Sequence, residues 1–518
     1  MRRALASRRQ FLSDVGRSML VAGIGYSTAR DLGIGIACGD EVAAGRLSFG
    51  PQERLVDLMQ ETAPDRLLPQ LVSLLQSGTD LQELVGAAAL ANARAFGGED
   101  YVGFHTFMAL MPSLQMAAAL PSERRALPVL KVLYRNSSRL QDADKNTTDT
   151  LALLPPADAG PGAPRDAIRA AVYQQDARAA EQMLLALDRD AAWNELLPTV
   201  SEAPEVHRIV LAHRAWDMAN IVGLEHAGAL LRQSVRYCVK AEDGRRRYPT
   251  DIAALVTGLL DQHKLAGREL GTRVAEDAWI AELSAMLLTA SPADGAGAIA
   301  AAVAEGYSAE SISEAISLTA NELTLRDEGR LEQWAQPNKP AGSVHGDSIG
   351  VHASDAANAW RHIVQVSNPL NAIASLIVSG YQVSRDATRN PELVDGPPRP
   401  MADDLARVTS SDPQTLLQEL DGAIREQHQE RVCAVTHQYL ELGHSERPVF
   451  DLLLRYATSE DGALHAEKYF WTVNDEYASM RPAWRNRQIV ALARVTSSEY
   501  GYPAPGYAEA CGLLGVEA

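Results

Sequence analysis

The chain has 518 residues, of which 46% are apolar and 22% charged, the balance of a folded protein and not of a disordered one. Its length suggests about three domains. The formal net charge of −18 disfavours contact with phosphate backbones or anionic lipid, so we expect no nucleic-acid partner. The four cysteines form no CxxC pair, which excludes a disulfide scaffold, although one or two disulfides stay open for an exported protein.

The first residues have the pattern of an export signal. Residues 7–12 read SRRQFL, which matches the twin-arginine signature S-R-R-x-F-L, and the apolar stretch from Met19 to Ala29 is too short to span a bilayer. We predict a twin-arginine signal segment over residues 1–37, recognised by the twin-arginine export machinery, and a periplasmic or cell-envelope location. The alternatives are a lipid anchor on Cys38, and a basic leader or cytosolic helix.

Helical periodicity dominates the rest of the chain. Apolar residues recur every three or four positions in segments such as 53–59, 80–95 and 102–120. No segment alternates with period two for long enough to form a sheet, and none after the signal has 18 consecutive apolar residues. We predict an all-α fold, a bundle or solenoid-like array of antiparallel helices, with no membrane span in the mature chain.

Clusters of proline and glycine divide this helical chain. The predicted parts are an N-terminal helical domain (38–153), a Pro/Gly linker (154–166), a central helical domain (167–390) with a histidine-containing loop (338–352), a loop (391–412) and a C-terminal helical domain (413–518).

Four of the twelve histidines stand 113 to 126 residues apart, each near the start of a predicted helix: His105, His226, His352 and His465. If these helices face a common centre, the four imidazoles converge. Neutral imidazole is the commonest metal ligand and changes protonation near neutral pH. The spacing therefore predicts a metal or acid–base site, with these four residues as metal ligands. The alternative is four ordinary helix residues at chance spacing. The cofactor stays open, and a metal ion such as iron is the candidate.

The region around His352 is the richest in chemically useful side chains. A glycine-punctuated loop with His345 and Asp347 leads into a helix on which His352, Asp355 and His362 share one stripe. We expect function here, with Asp355 orienting an imidazole. The alternative is a helix with an ordinary cap.

Two further pairs fall on single helix faces. His213 and Asp217 are four residues apart and can share a metal or a hydrogen bond. Lys468 lies one turn after His465, where an ammonium lowers the imidazole pKa or binds an acidic substrate group. Either pair can equally be a solvated surface pair.

Several common enzyme motifs are missing from the sequence. No GxGxxG follows a strand, and no P-loop, HExxH or GxSxG occurs. Rossmann-type cofactor binding, P-loop phosphotransfer and serine hydrolysis therefore have no support. The paired Glu-x-x-His motifs of di-iron bundles are also missing.

Three stretches resemble the questin oxidase-like family, helical proteins associated with oxygenative ring cleavage of polyketide anthraquinones. They are VHRIVLAHRA (206–215), HAGALLRQSVRY (226–237) and LHAEKYFWTVNDE (464–476). The resemblance implies an all-α enzyme with histidines in its interior.

Our leading hypothesis is an exported helical oxidoreductase, oxygenase-like, that acts on a hydrophobic small molecule, aromatic if the resemblance extends to the substrate. Its predicted catalytic residues are His226, His352, Asp355 and Lys468. The alternative is a non-catalytic cell-envelope interaction protein with an acidic helical scaffold. A haem protein with non-covalently bound haem is a third possibility.

Overall fold

The computed structural model describes residues 45–142, 150–157, 166–247 and 251–518. The predicted signal segment, Cys38 and most of the predicted Pro/Gly linker lie outside these residues. The described residues form 24 α-helices and no β-strand, which confirms the predicted all-α class. None of these helices is both long enough and apolar enough to cross a membrane.

The helices, numbered in chain order, have the following bounds. They are α1 Glu53–Glu61, α2 Pro64–Gln76, α3 Leu81–Phe96, α4 Tyr101–Ala119, α5 Leu127–Leu140, α6 Ala167–Tyr173, α7 Ala177–Leu185, α8 Arg189–Ser201, α9 Val206–Val222, α10 Ala227–Arg247, α11 Ile252–Gln262, α12 Asp277–Thr289, α13 Pro292–Ala304, α14 Ala309–Arg326, α15 Ile349–Val366, α16 Pro369–Thr388, α17 Pro391–Asp395, α18 Ala402–Leu405, α19 Pro413–Arg425, α20 Gln429–Glu441, α21 Arg447–Ser459, α22 His465–Ser479, α23 Pro482–Glu499 and α24 Tyr507–Leu514.

Side-chain caps set the start of three helices that matter for function. Asp100 caps α4 by accepting a hydrogen bond from the backbone N–H of Gly103. Glu205 caps α9, and Ser348 caps α15 by accepting from the N–H of Val351. Each cap satisfies a backbone donor that the first turn leaves unpaired, so these helix starts are firmly placed.

Two apolar clusters fill much of the interior. One lies among α11 to α16 and includes Ile280, Ile299 and Ile316. The other lies mainly among α19 to α23 and includes Leu420 and Ile489. The three described cysteines, Cys238, Cys433 and Cys511, are buried and free.

Backbone contacts assign residues 49–150 and 155–518 to one unit, while described residues 45–48 and 151–154 belong to another. Within the larger unit, α4 contacts α9, α9 contacts α15, α15 contacts α22, and α22 contacts α4. We call this closed arrangement the four-helix ring. Its members come from all three predicted helical domains, whose boundaries stay predictions.

Candidate metal centre

Four imidazoles meet inside the four-helix ring, one from each helix. They belong to His105 on α4, His207 on α9, His352 on α15 and His465 on α22. One ring nitrogen from each of His105, His207 and His465 lies within 4.8 Å of those of the other two. The Nε2 of His352 is 3.3 Å from the Nε2 of His465. Metal-ligand distances of about 2.1 Å in a tetrahedral site separate the ligand atoms by about 3.4 Å, so this spacing suits two ligands of one ion.

Backbone carbonyls orient two of these rings. The Nδ1–H of His105 donates to the carbonyl oxygen of Tyr101 at 2.6 Å, and that of His465 faces the carbonyl oxygen of Ala463 at 3.2 Å. With the proton on Nδ1, the lone pair is on Nε2. Histidine ligands of metals usually donate their other N–H in this way, which fixes the tautomer and the ring orientation.

The third ring is oriented by a carboxylate. The Nδ1–H of His207 donates to Oε1 of Glu205, whose Oε2 accepts a hydrogen bond from the hydroxyl of Tyr237 at 2.9 Å. Burial raises the pKa of Glu205, but its hydrogen bond with His207 and the charge of that ring outweigh burial and hold the pKa at about 2. The carboxylate is therefore an ionised acceptor behind His207, again leaving Nε2 of the ring as the free nitrogen.

The free nitrogens are buried without partners. The residues His105 and His207 are 4% and 8% exposed, and the Nε2 atom of each lies among the described residues without a hydrogen bond. An unpaired buried polar atom costs about 1–3 kcal/mol. Such atoms in a native interior need an explanation, and a bound cation provides one because it takes up the lone pairs directly.

Burial keeps three of the four rings neutral, the state in which imidazole binds metal. It lowers the pKa of His105 to about 2, with help from Lys468, and that of His352 to about 3, with help from His207. The pKa of His465 is also far below its usual value, because of burial first and then the charge of Lys468. These rings therefore do not need to lose a proton before they bind an ion at neutral pH.

A buried ammonium and carboxylate lie one turn deeper than the imidazoles. Lys468 is 3% exposed, and burial lowers its pKa to about 8, against the attraction of Asp355 and Glu467. Asp355 is 5% exposed and accepts a hydrogen bond from Thr472 at 2.7 Å. Burial raises the pKa of Asp355, and the charge of Lys468 opposes that rise. An amine with a pKa near neutrality is suited to general acid–base work.

The chain is strained just before His465. Ala463 and Leu464 have φ values of 50° and 68°, in the left-handed region that non-glycine residues rarely adopt. Gly346 packs against this turn so closely that an added Cβ would lie 2.3 Å from the Cβ of His465. Backbone strain of this kind concentrates at functional sites, where the surrounding structure holds it in place.

Aromatic side chains flank the imidazoles on the solvent side. The ring of Phe104 stacks on that of His105 with centroids 5.0 Å apart, and Tyr101 contacts the rings of both His105 and His207. Tyr101 is nevertheless 62% exposed, and the next residue, Val102, is 45% exposed. The cluster therefore lies beneath a partly exposed apolar surface.

The structure brings together three of the four histidines predicted from spacing, and His226 is not among them. His226 ends a short 3₁₀ turn before α10, and its ring is edge-on to Phe49 with centroids 5.4 Å apart. The fourth position belongs to His207, which the spacing argument did not include. Asp355 does not hold an imidazole as expected, since it accepts from Thr472 and lies near Lys468. The sequence did contain one indication of His207, because Glu205 stands two residues before it at a helix start.

The fold and the site together define an all-α protein with a four-histidine cluster inside the four-helix ring. Comparison with protein-family models, with curated proteins and with solved structures gave no match to this chain.

Proposed function

We propose that His105, His207, His352 and His465 bind one first-row transition-metal ion and that the chain is a metal-dependent oxidoreductase acting on a hydrophobic small molecule. The observation that carries the metal site is the orientation of the rings. In three of them Nδ1 faces an oxygen acceptor, which leaves Nε2 as the nitrogen available to a metal, and the Nε2 atoms of His105 and His207 have no hydrogen bond within the described part of the chain. This is the outer-partner arrangement typical of histidine-ligated metals.

The four imidazole nitrogens restrict which metal ion the site can bind. Imidazole nitrogens suit iron, copper, nickel and zinc, whereas magnesium and calcium prefer oxygen ligands. Four neutral ligands leave the full positive charge of the ion in place. A bound iron or copper ion would supply one-electron chemistry that no side chain of the cluster has. Iron, the candidate from the sequence, fits this donor set.

The side chains around the cluster have roles that suit an oxidation. Lys468 is placed to hold or deliver a proton beside the cluster, and Asp355 to balance its charge. The exposed ring of Tyr101, with Phe104 below it, offers an apolar surface to an aromatic substrate.

The family resemblance adds support of a different kind. The three stretches that resemble questin oxidase-like proteins contain His207, Tyr237, His465 and Lys468, all of which lie at or beside the cluster. Stretches chosen for sequence likeness alone thus converge on one place. We infer an oxidation of a hydrophobic, aromatic substrate from this convergence.

Metal analysis of purified variants tests the proposal. We expect stoichiometric iron or copper in the wild type and at least a tenfold lower metal affinity in His207→Ala and His465→Ala, because loss of even an outer partner typically costs 10–100-fold. His226→Ala is the matched control, since its ring packs on Phe49 and stays outside the cluster. Its metal content should equal that of the wild type.

Oxygen consumption by the metal-loaded protein with a hydroxylated anthraquinone tests the reaction class. Turnover in the wild type and its loss in Lys468→Met, with metal retained, would support an oxidase. A metal-free wild type in which histidine substitutions change only stability would contradict the proposal and favour the non-catalytic envelope protein.

A further inference from the structure

Two helices of the ring carry the same spacing of polar residues, and a third carries part of it. On α15, His352, Asp355 and His362 occupy relative positions 0, 3 and 10, and α22 repeats this spacing with His465, Lys468 and Asp475. Helix α9 follows it in part, with His207 at position 0 and Arg214 and Asp217 at positions 7 and 10. Positions 0, 3, 7 and 10 share one helix face, so each helix presents a polar stripe.

The stripes of α15 and α22 face each other in register, with the helices parallel. His352 meets His465 at one end, Asp355 accepts from Thr472 one to two turns further on, and the Nε2 of His362 lies 2.8 Å from Oδ2 of Asp475 at the other end. Helix α9 runs alongside in the same direction, because His207 packs on His352 and His213 packs on His362. We call this three-helix array the polar ladder. Ten residues of α-helix span about 15 Å.

The far end of the ladder is a second histidine cluster. The rings of His213 and His362 stack with centroids 5.0 Å apart and an interplanar angle of 10°. The Nε2 of His213 lies 3.2 Å from Oδ2 of Asp217, just as His362 faces Asp475. His213 is buried, and its Nδ1 has no hydrogen-bond partner among the described residues. In contrast, the side chains of His362 and Asp217 are 26% and 27% exposed, so this end reaches solvent.

Charged and amide groups surround this end on the three helices that form it. The groups are Arg214 and Asp217 on α9, Asn358, Arg361 and His362 on α15, and Asp475 and Glu476 on α22. Arg361 is paired with Glu476 at 2.6 Å, so its charge is neutralised locally. Arg214 contacts Asp217 at 3.3 Å.

The geometry suits proton sharing better than a second metal. Lone pairs in two nearly parallel, stacked ring planes do not converge on a single ion, whereas each Nε2 already points at its own carboxylate oxygen. An imidazole and a carboxylate in hydrogen-bond contact can pass a proton from one to the other.

We propose that the polar ladder is a proton path between the interior pair Lys468 and Asp355 and the surface, with the couple of His362 and Asp475 as its exchange site with solvent. The proposal rests on the proposed metal centre, because oxidation there takes up or releases protons. Each transfer moves one proton, and no electron, from an N–H or O–H donor to a nitrogen or oxygen acceptor. At the surface the proton passes to or from water or buffer.

The interior steps follow the ladder contacts. Thr472 donates its hydroxyl hydrogen to Asp355, and Lys468 lies one turn from Thr472 on the same helix face. From Thr472 to Asp475 is about one helical turn, roughly 5 Å, a span that one bridging water covers with two hydrogen bonds. Asp475 then passes the proton to His362.

A pH-jump experiment on cobalt-substituted protein tests the path without any substrate. Co²⁺ bound by the four histidines gives visible absorption bands that respond to the charge on Lys468 and Asp355. We expect the bands to relax within the mixing time in the wild type, and at least tenfold more slowly in Asp475→Asn and His362→Gln. Added imidazole buffer should restore the rate, which a merely structural defect would not allow. His437→Gln on α20 is the off-ladder control and should behave as the wild type.

The outcomes separate this proposal from the proposed function. Protein that binds no cobalt contradicts both. Cobalt-loaded protein whose spectrum does not respond to pH, or whose relaxation rate is the same in Asp475→Asn, His362→Gln and the wild type, contradicts the proton path and leaves the metal centre standing.

Discussion

The chemistry of the site depends on which nitrogen of each imidazole carries the proton. Tyr101, Glu205 and Ala463 supply oxygen acceptors to the Nδ1 atoms of three rings. Two of these acceptors are backbone carbonyls near the ring's own position in the chain, so the helix start itself selects the tautomer. The third acceptor is Glu205, which both caps α9 and orients His207. One side chain therefore fixes the start of the helix and the direction of the ring.

Neutral buried imidazoles make the metal-free protein sensitive to acid. In the folded chain the pKa values of His105 and His352 are about 2 and 3, below the unfolded value of about 6.5. Below pH 6.5 these histidines therefore bind protons in the unfolded state but not in the folded state. The free energy of unfolding falls as the pH decreases for this reason. We expect the free energy of unfolding to drop by about 1.4 kcal/mol per pH unit for each such histidine between pH 6.5 and 4.

Urea unfolding of metal-free wild type and of the double variant His105→Gln/His352→Gln checks this expectation. The variant should lose stability less steeply over that range, since two of the neutral rings are gone. Equal slopes in the two proteins would show that these rings do not stay neutral in the fold.

At the level of elements, the start of α22 is the most constrained part of the site. The left-handed residues Ala463 and Leu464 turn the chain so that His465 enters the ring at the first residue of the helix. Gly346, from the loop before α15, packs against His465 and donates its N–H to Glu499 at 3.1 Å. The loop predicted from its glycines and histidines thus holds the start of α22 in place by packing against it. His345, which lies in that loop, is not one of the clustered rings.

Gly346→Ala tests this support. The added Cβ would lie 2.3 Å from the Cβ of His465 and 2.9 Å from the carboxylate of Glu499, so the loop or the helix start must move. We expect a loss of about 1–3 kcal/mol of stability and a metal affinity at least tenfold lower. Thermal unfolding and metal titration measure the two effects. Gly297→Ala, where the nearest atom is 4.0 Å away inside α13, is the control and should keep wild-type metal affinity.

Sequence patterns predicted the helices well because periodic apolar residues act locally. They also identified His105, His352 and His465, each in the first turns of its helix. They failed for the fourth ring, because even spacing favoured His226 over His207. Which residue turns inward depends on the rotation of α9 within the ring, and that rotation follows from packing against five other helices, α3, α4, α8, α10 and α15. No local pattern contains that information.

At the level of the whole molecule, the cluster is assembled from residues up to 360 positions apart, from His105 to His465. Which distant helices pack against each other could therefore not be predicted from the sequence, although the all-α class could. A centre of this kind forms only when the chain has folded, since its ligands are far apart in the unfolded state.

Export in the folded state is consistent with such a centre, and we propose that residues 7–12 direct the chain to the twin-arginine route. Replacing Arg8 and Arg9 by lysine should keep the protein in the cytoplasm with its metal bound, because only the signal changes. Cell fractionation and metal analysis measure both quantities. Unchanged export of the Arg8→Lys/Arg9→Lys variant would contradict this route.

X-ray absorption at the edge of the bound metal tests the central claim most directly. Four histidine ligands predict a shell of nitrogen atoms at about 2.1 Å, with the outer-shell scattering that rigid imidazole rings produce. The His207→Ala protein should show one ring fewer, and His226→Ala the same spectrum as the wild type. A first shell dominated by oxygen or sulfur, or a spectrum that His207→Ala leaves unchanged, would contradict the four-histidine centre.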